Sequence, residues 1–294
     1  MQKWLFYSIL CVIPASIFIL LPHFIGEYYT PLSIGKSQQL IVVILMSIFI
    51  FVTKRKFIFY PISIILGSFI SFGISANLLA NVNSPNPGFA MGITQFQLIY
   101  VTLISHYLYN TRLSIKIVGS MLLMILGFVF TGWNPKKQTN TSYIWIFWAI
   151  ISAFLIGTKD LVLKSTGDKL DRYSLTLNMF VVAALVSFGL EYFEKNKLGL
   201  VKSKKNKTNK SEKDENIAKL GIVLMGISTT IFIPLLIYVI NISPVPSYPR
   251  AITSISIIFS ALIDSYIEKK PVSKENILGL LLIVSGVSGI VLSG

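Results

Sequence analysis

The sequence has 294 residues, of which 53% are hydrophobic and only 13% are charged, and its formal net charge is +14. Soluble domains carry about 25% charged residues, so this composition excludes an ordinary cytosolic enzyme and any disordered protein. The single cysteine, Cys11, excludes a disulfide framework and the cysteine-based zinc and iron–sulfur sites. The composition indicates an all-α polytopic membrane protein.

The positive charge does not indicate a nucleic-acid partner. Eight lysines fall between Lys195 and Lys213, and the other basic residues mostly lie between apolar runs. Charges at such places flank membrane spans. The expected partners are the lipid bilayer and a small-molecule substrate, with a homodimer as a further candidate. No Gly-x-Ser-x-Gly, His-Glu-x-x-His or Walker motif occurs, so neither an enzyme nor a cofactor is predicted.

Apolar runs long enough to cross a bilayer, about 20 residues each, occur ten times. The predicted transmembrane helices are 4–22, 36–53, 57–80, 89–109, 114–132, 143–163, 173–192, 217–241, 246–267 and 275–293. Proline-containing turns at 83–88 and 243–246 separate neighbouring spans, because proline cannot continue a helix. The segment 195–216 is rich in Lys, Asn, Ser and Glu and predicts a long polar loop.

An internal repeat relates the two halves of the chain. Residues 83–127 align without gaps to residues 242–286, an offset of 159, with 13 of 45 positions identical. Several identities are between aliphatic residues, which match easily by chance in so apolar a chain. Others are not aliphatic, such as Pro85/Pro244, Thr94/Thr253 and Gly127/Gly286. Chance similarity of two apolar hairpins is the alternative.

Five helices in each repeat is an odd number, so the repeats, 1–132 and 143–293, must insert in opposite directions. Inverted repeats are frequent in secondary transporters, whose substrate sites lie near the bilayer midplane. The repeat therefore predicts ten helices in two inverted five-helix repeats, and favours a carrier.

The fourth and fifth helices of each half carry a resemblance to a known family. The residues are 87–93, 108–114, Gly119 and Gly127 in the first half and 249–252, 267–273, Gly279 and Gly286 in the second. With ten spans in about 300 residues, the chain resembles the drug/metabolite transporter superfamily, in its EamA-type branch. The resemblance implies a central cavity formed by the third, fourth, sixth, eighth and ninth helices.

Charged residues inside spans are candidates for substrate binding, because a charge at the bilayer centre costs about 2.5–3.5 kcal/mol. Lys159 and Asp160 lie within the sixth span, and Arg250 begins the ninth. We expect Lys159 to meet an anionic substrate group and Asp160 an amine; since adjacent helical residues point about 100° apart, these two need not pair. Lys159 and Arg250 together predict a preference for carboxylate or phosphate. Anchoring at the membrane interface is the alternative for both.

Amides in the implied cavity helices form the second group of candidates. They are Asn77, Asn81, Gln95, Gln97 and Asn241. Hydrogen bonding between helices is the structural alternative for each.

Three functions remain open. The first is a carrier that moves a small metabolite, amino acid or drug by alternating access. The second is a flippase for lipids or lipid-linked sugars on the same fold, and the third is a non-transporting scaffold or receptor. Basic residues at 54–56 favour a multi-pass protein of the cell membrane with both termini in the cytoplasm, whereas the basic loop at 195–216 argues for the reverse orientation.

Overall fold

The computed structural model consists of helices joined by turns and irregular segments, with no strand in the part of the chain that it describes. The described residues are 2–26, 28–83, 90, 93–110, 113–132, 144–166, 169–193, 212–259, 263 and 274–293. The helices are α1 Lys3–Leu10, α2 Val12–Ile25, α3 Pro31–Val52, α4 Ile62–Asn83, α5 Phe96–Tyr109, α6 Ile115–Gly132, α7 Ile144–Thr166, α8 Arg172–Phe193, α9 Glu212–Ile242, α10 Ser247–Thr253 and α11 Lys274–Ser293.

Among the described residues, six helical segments are long and apolar enough to cross a membrane, by length and composition. The first is Lys3–Pro22, in which only Cys11 separates α1 from α2. The others lie within α3, α4, α7, α8 and α9, and α6 and α11 contain shorter apolar stretches. Large apolar side chains remain exposed on the outside of this bundle, such as Phe51, Ile115 and Leu292. Exposed apolar surface of this kind suits contact with lipid tails.

Two boundaries differ from the sequence prediction. Residues 55–60 precede α4 and are not helical, and Pro61 disfavours helical geometry in Tyr60 directly before it. The last five residues of the predicted loop 195–216 belong to α9, where Glu215 forms an ion pair of 3.0 Å with Lys219 one turn later. Most of that loop lies outside the described residues.

The fourth and ninth predicted spans are interrupted rather than continuous. A turn at Gln95 separates residues 93–94 from α5, and a turn at 254–255 separates α10 from residues 256–259. In the second turn, the Ser254 hydroxyl shares its one proton between the Arg250 carbonyl (2.8 Å) and Gln95 Oε1 (3.0 Å), and the first of these bonds competes with regular helix geometry. Gln95 and Ser254 are 159 positions apart, so both interruptions occur at the same position of the sequence repeat.

Helices α6 and α11 pack closely through reciprocal glycine contacts. A β-carbon built on Gly127 would lie 2.6 Å from the Gly279 carbonyl oxygen and 2.7 Å from the Ile283 side chain. One built on Gly286 would lie 2.5 Å from the Ser120 carbonyl oxygen and 2.4 Å from the Met124 side chain. Adding 159 converts each residue of one contact into its counterpart in the other. A contact that is unchanged when partners exchange is typical of a two-fold interface.

A second reciprocal contact involves the two earlier helices of each half. A β-carbon on Gly67 of α4 would lie 2.7 Å from Val182 of α8, and one on Gly226 of α9 would lie 2.7 Å from Ile41 of α3. Gly67 and Gly226 are again 159 apart, whereas Ile41 and Val182 are 141 apart. The difference of 18 positions reflects the longer connection between α8 and α9.

Candidate functional site

Three charged side chains from two helices meet inside the bundle. Lys159 Nζ lies 2.7 Å from Asp160 Oδ1, and Arg250 donates from Nε to Asp160 Oδ2 (2.6 Å) and from Nη2 to Asp160 Oδ1 (3.0 Å). The side chains of Lys159 and Asp160 are 4% and 1% exposed, and that of Arg250 is 15% exposed. The fork of the guanidinium matches the carboxylate in a bidentate pair. These residues form the charge cluster, which links α7 to α10.

The charge cluster differs from the sequence prediction in one respect. Lys159 and Asp160 do pair, although they are neighbours on one helix, because the long lysine chain reaches back to the carboxylate. Both side chains are buried among the helices. A buried ion is expensive unless it is paired, and here Asp160 is paired twice. The cluster nevertheless contains two cations and one anion, so it retains a formal charge of +1.

A cavity of about 130 Å³ lies beside this cluster, among α2, α4, α5, α7, α9 and α10. Arg250 lines it, whereas Lys159 and Asp160 are not among the lining residues. Its apolar lining comes from eight described side chains of five different segments, which are Ala15, Phe18, Pro22, Ile74, Leu78, Ile156, Phe232 and Ile257. Among the described lining residues, the cavity therefore combines apolar walls with a single cation, Arg250.

Four of the five predicted amides line this cavity. Asn81 donates to Asn77 Oδ1 (2.9 Å), and Gln95 Oε1 accepts from the Ser254 hydroxyl (3.0 Å). Gln97 is 8% exposed, and its Oε1 has no hydrogen-bond partner within the part of the chain that the structure describes. Because a buried polar atom without a partner is costly, Gln97 Oε1 is suited to accept a bond from a ligand.

Asn241, the fifth predicted amide, lies elsewhere. It is near the end of α9 and is not among the cavity-lining residues. Its carbonyl oxygen accepts a bond from Lys164 Nζ (2.7 Å), which also donates to the carbonyl of Ser243. A lysine at the last carbonyls of a helix offsets the negative end of the helix dipole. The structure thus gives Asn241 a place in the link between α7 and the turn after α9.

Comparison with known proteins identifies the family. The sequence profile of the EamA-like transporter family matches residues 143–292, which is just over half of the chain. The chain belongs to the EamA-like transporter family. A crystal structure of another protein superposes on it with a TM-score of 0.75 at 14% identity, covering 99% of this chain and 98% of that chain. In all, 28 chains of solved structures match, and no curated protein matches.

As an EamA-like transporter, the chain is a multi-pass membrane protein of the drug/metabolite type, and its fold extends over nearly the whole sequence. The matched family is described as a family of transporters. Among the described residues, no group of three or more His, Cys, Asp or Glu side chains could hold a metal ion.

Several residues that line the cavity of this EamA-like transporter were not among the binding candidates predicted from the sequence. Thr94, Thr253, Ser254 and Ser256 line the cavity with Gln95 and Gln97. These six form three pairs at the repeat offset of 159, namely Thr94/Thr253, Gln95/Ser254 and Gln97/Ser256. The sequence repeat could have identified Ser254 and Ser256 as cavity residues, because they align with Gln95 and Gln97 at the offset of 159.

Proposed function

We propose that this chain is a secondary transporter that moves a small metabolite, amino acid or drug-like solute through the central cavity by alternating access. The main support for this proposal is that residues related by the sequence repeat line the cavity in pairs. Positions 94, 95 and 97 of the first half face the same space as positions 253, 254 and 256 of the second half. A two-fold axis that passes through the binding cavity is the arrangement that transporters built from inverted repeats use.

The reciprocal glycine contacts support two inverted repeats, 1–132 and 143–293. The pairs Gly127–Ile283 and Gly286–Met124 exchange when the halves are exchanged, and so do Gly67–Val182 and Gly226–Ile41. Because each half makes the same kind of contact with the other, the two halves can exchange their conformations, and such an exchange gives a carrier two states of similar stability. Alternating access requires two such states, one open to each side.

We further propose that the charge cluster closes the cavity on the side of the chain termini. Successive spans alternate in direction, so the end of α7 and the start of α10 lie on the side of the chain termini. Asp160 and Arg250 join these two segments. Pro22, Asn81 and Thr94 line the cavity near helix ends on the opposite side. With both termini in the cytoplasm of a cell-membrane protein, this arrangement corresponds to an outward-open state.

The cavity also separates the three candidate functions. A scaffold or receptor that transports nothing has no use for a polar cavity at the centre of the bundle, where an unpartnered amide oxygen costs stability. A flippase requires an opening between helices towards the lipid, whereas polar residues that line the described cavity, such as Gln95, Gln97 and Thr253, are buried in the bundle. The carrier is therefore the function that the geometry favours.

The test is uptake into vesicles that contain the purified protein, against a panel of amino acids and sugars. Ile156→Trp places a bulky ring in the cavity, and it should abolish uptake without loss of the folded protein. Ile150→Trp on the same helix is the matched control, because Ile150 is 39% exposed on the apolar surface. Equal uptake by the two variants would contradict transport through this cavity.

A further inference from the structure

We propose that the cavity selects a monoanion that has an apolar body and a hydrogen-bond donor, and that Lys159 sets this charge preference without touching the substrate. The proposal rests on the proposed function, in which this cavity is the transport site. It narrows the substrate to one charge class, and it gives Lys159 and Asp160 roles different from the direct contacts expected from the sequence.

Asp160 is not available to a substrate amine. Its side chain is 1% exposed, its Oδ1 accepts from both Lys159 and Arg250, and its Oδ2 accepts from Arg250. None of the described residues that line the cavity is Asp or Glu. A zwitterionic or cationic substrate would therefore bury its ammonium group without a counter-charge, which is costly.

Arg250 is the group that meets the anion. It lines the cavity, and its bidentate pair with Asp160 uses two of the five N–H donors of a guanidinium, which leaves three for a ligand. Hydrogen bonds between a guanidinium and a carboxylate are short and strong when both groups are charged. A substrate carboxylate can therefore add to Arg250 while Asp160 stays in place.

Lys159 supplies the surplus charge. Without it, Asp160 and Arg250 would form a neutral pair, and the cavity would present no net charge to a ligand. With Lys159 paired to Oδ1, the cluster carries +1 beside the cavity. At an effective dielectric of about 20, a unit charge near the cavity but not in contact with the ligand changes the affinity for an anion by about ten- to thirtyfold. Lys159 thus influences the substrate through the net charge of the cluster, in which it pairs with Asp160, and not through a direct contact.

The rest of the cavity defines the uncharged part of the substrate. Phe18, Ile156 and Phe232 supply apolar walls for a hydrophobic side chain. Asn77 and Gln95 already use their side-chain oxygens, for Asn81 and Ser254, whereas Gln97 Oε1 has no partner among the described residues. Gln97 is therefore suited to accept from an N–H or O–H of the substrate. N-acylated amino acids combine a carboxylate, an apolar side chain and an amide N–H donor.

Three probes with one common side chain test the charge preference. N-acetylnorleucine is a monoanion with an amide N–H, norleucine is a zwitterion, and norleucinamide is a cation. Binding of each radiolabelled probe to the purified full chain in detergent should follow that order, with at least a tenfold preference for N-acetylnorleucine. Equal binding of all three, a preference for either of the others, or no binding would overturn the proposal.

Variants test how the preference arises. Lys159→Met should lower N-acetylnorleucine affinity about ten- to thirtyfold and leave norleucine binding nearly unchanged, whereas Lys159→Arg should restore the preference. Lys116→Met removes an exposed lysine and is the matched control. Arg250→Gln leaves Lys159 and Asp160 as a neutral pair and should abolish the preference. An unchanged preference in Lys159→Met would refute the role of Lys159.

The two proposals fail in different ways. If the chain transports a neutral or cationic solute and Ile156→Trp blocks that transport, the proposed function stands and the anion preference falls. If N-acetylnorleucine binds with the expected preference but Ile156→Trp leaves transport unchanged, the cavity binds an anion and is not the transport route.

Discussion

Substitution of Gly127 by alanine tests the close packing of α6 against α11. The added β-carbon would lie 2.6 Å from the carbonyl oxygen of Gly279 and 2.8 Å from the backbone nitrogen of Ile283. Neither atom can rotate away, so the two helices must move apart. Overpacking of a well-packed interior costs about 1–3 kcal/mol.

Gly119→Ala is the control on the same helix, because a β-carbon there would meet nothing within 4 Å. Both substitutions gain the intrinsic helix preference of alanine, about 0.5–1 kcal/mol. That gain cancels in the comparison, so Gly127→Ala should be less stable than Gly119→Ala by about 1–3 kcal/mol. Gly286→Ala should behave like Gly127→Ala, since it would meet the Ser120 carbonyl oxygen at 2.5 Å.

The assay uses the chain's only cysteine. Cys11 is fully buried, so a thiol-reactive fluorogenic dye should label it only when the purified protein unfolds on heating. The labelling midpoint of Gly127→Ala should lie several degrees below that of Gly119→Ala. If the two midpoints coincide, the helices are farther apart than described and the argument from reciprocal glycine packing fails.

Two further outcomes are expected. Tyr109→Phe removes the hydroxyl that donates to the Leu161 carbonyl (2.7 Å) and should cost about 1 kcal/mol in the same assay, whereas Tyr107→Phe, at an 84% exposed residue, should cost nothing measurable. Ser203→Cys lies in the basic segment outside the described residues, and with cytoplasmic termini it should react with an impermeant thiol reagent on intact cells. Labelling only after lysis would reverse the orientation.

The membrane spans could be predicted from apolar length alone, because a bilayer of fixed thickness demands a fixed number of apolar residues. The interruptions at Gln95 and Ser254 could not, since both lie within apolar runs. They depend on hydroxyl and amide groups that bond to the backbone or to one another across the bundle. Span prediction measures hydrophobicity and is insensitive to such bonds.

The sequence singles out candidate residues for a site but does not specify how they are arranged. Lys159, Asp160 and Arg250 were recognisable because charges are costly inside a membrane. Their pairing was not, since Arg250 is 90 positions from Asp160 and nothing in the spacing brings them together. The expected contact between Lys159 and an anionic substrate group depended on the direction of its side chain, which the sequence does not specify. Asn241 was chosen for its residue type and position in a cavity helix, and only the bundle geometry shows its carbonyl bound to Lys164.

The glycine contacts of α6 and α11 have a consequence for how this protein can diversify. No described residue of these two helices lines the cavity. Substitutions that change the transported solute therefore fall on other helices than substitutions that change the stability of the protein. A gene duplicate could exchange cavity side chains such as Phe18, Gln97 or Phe232 while α6 and α11 keep the halves together. Combinatorial libraries confined to the cavity should accordingly yield folded variants at high frequency, whereas libraries that include Gly127 or Gly286 should lose most of their members before selectivity can be measured.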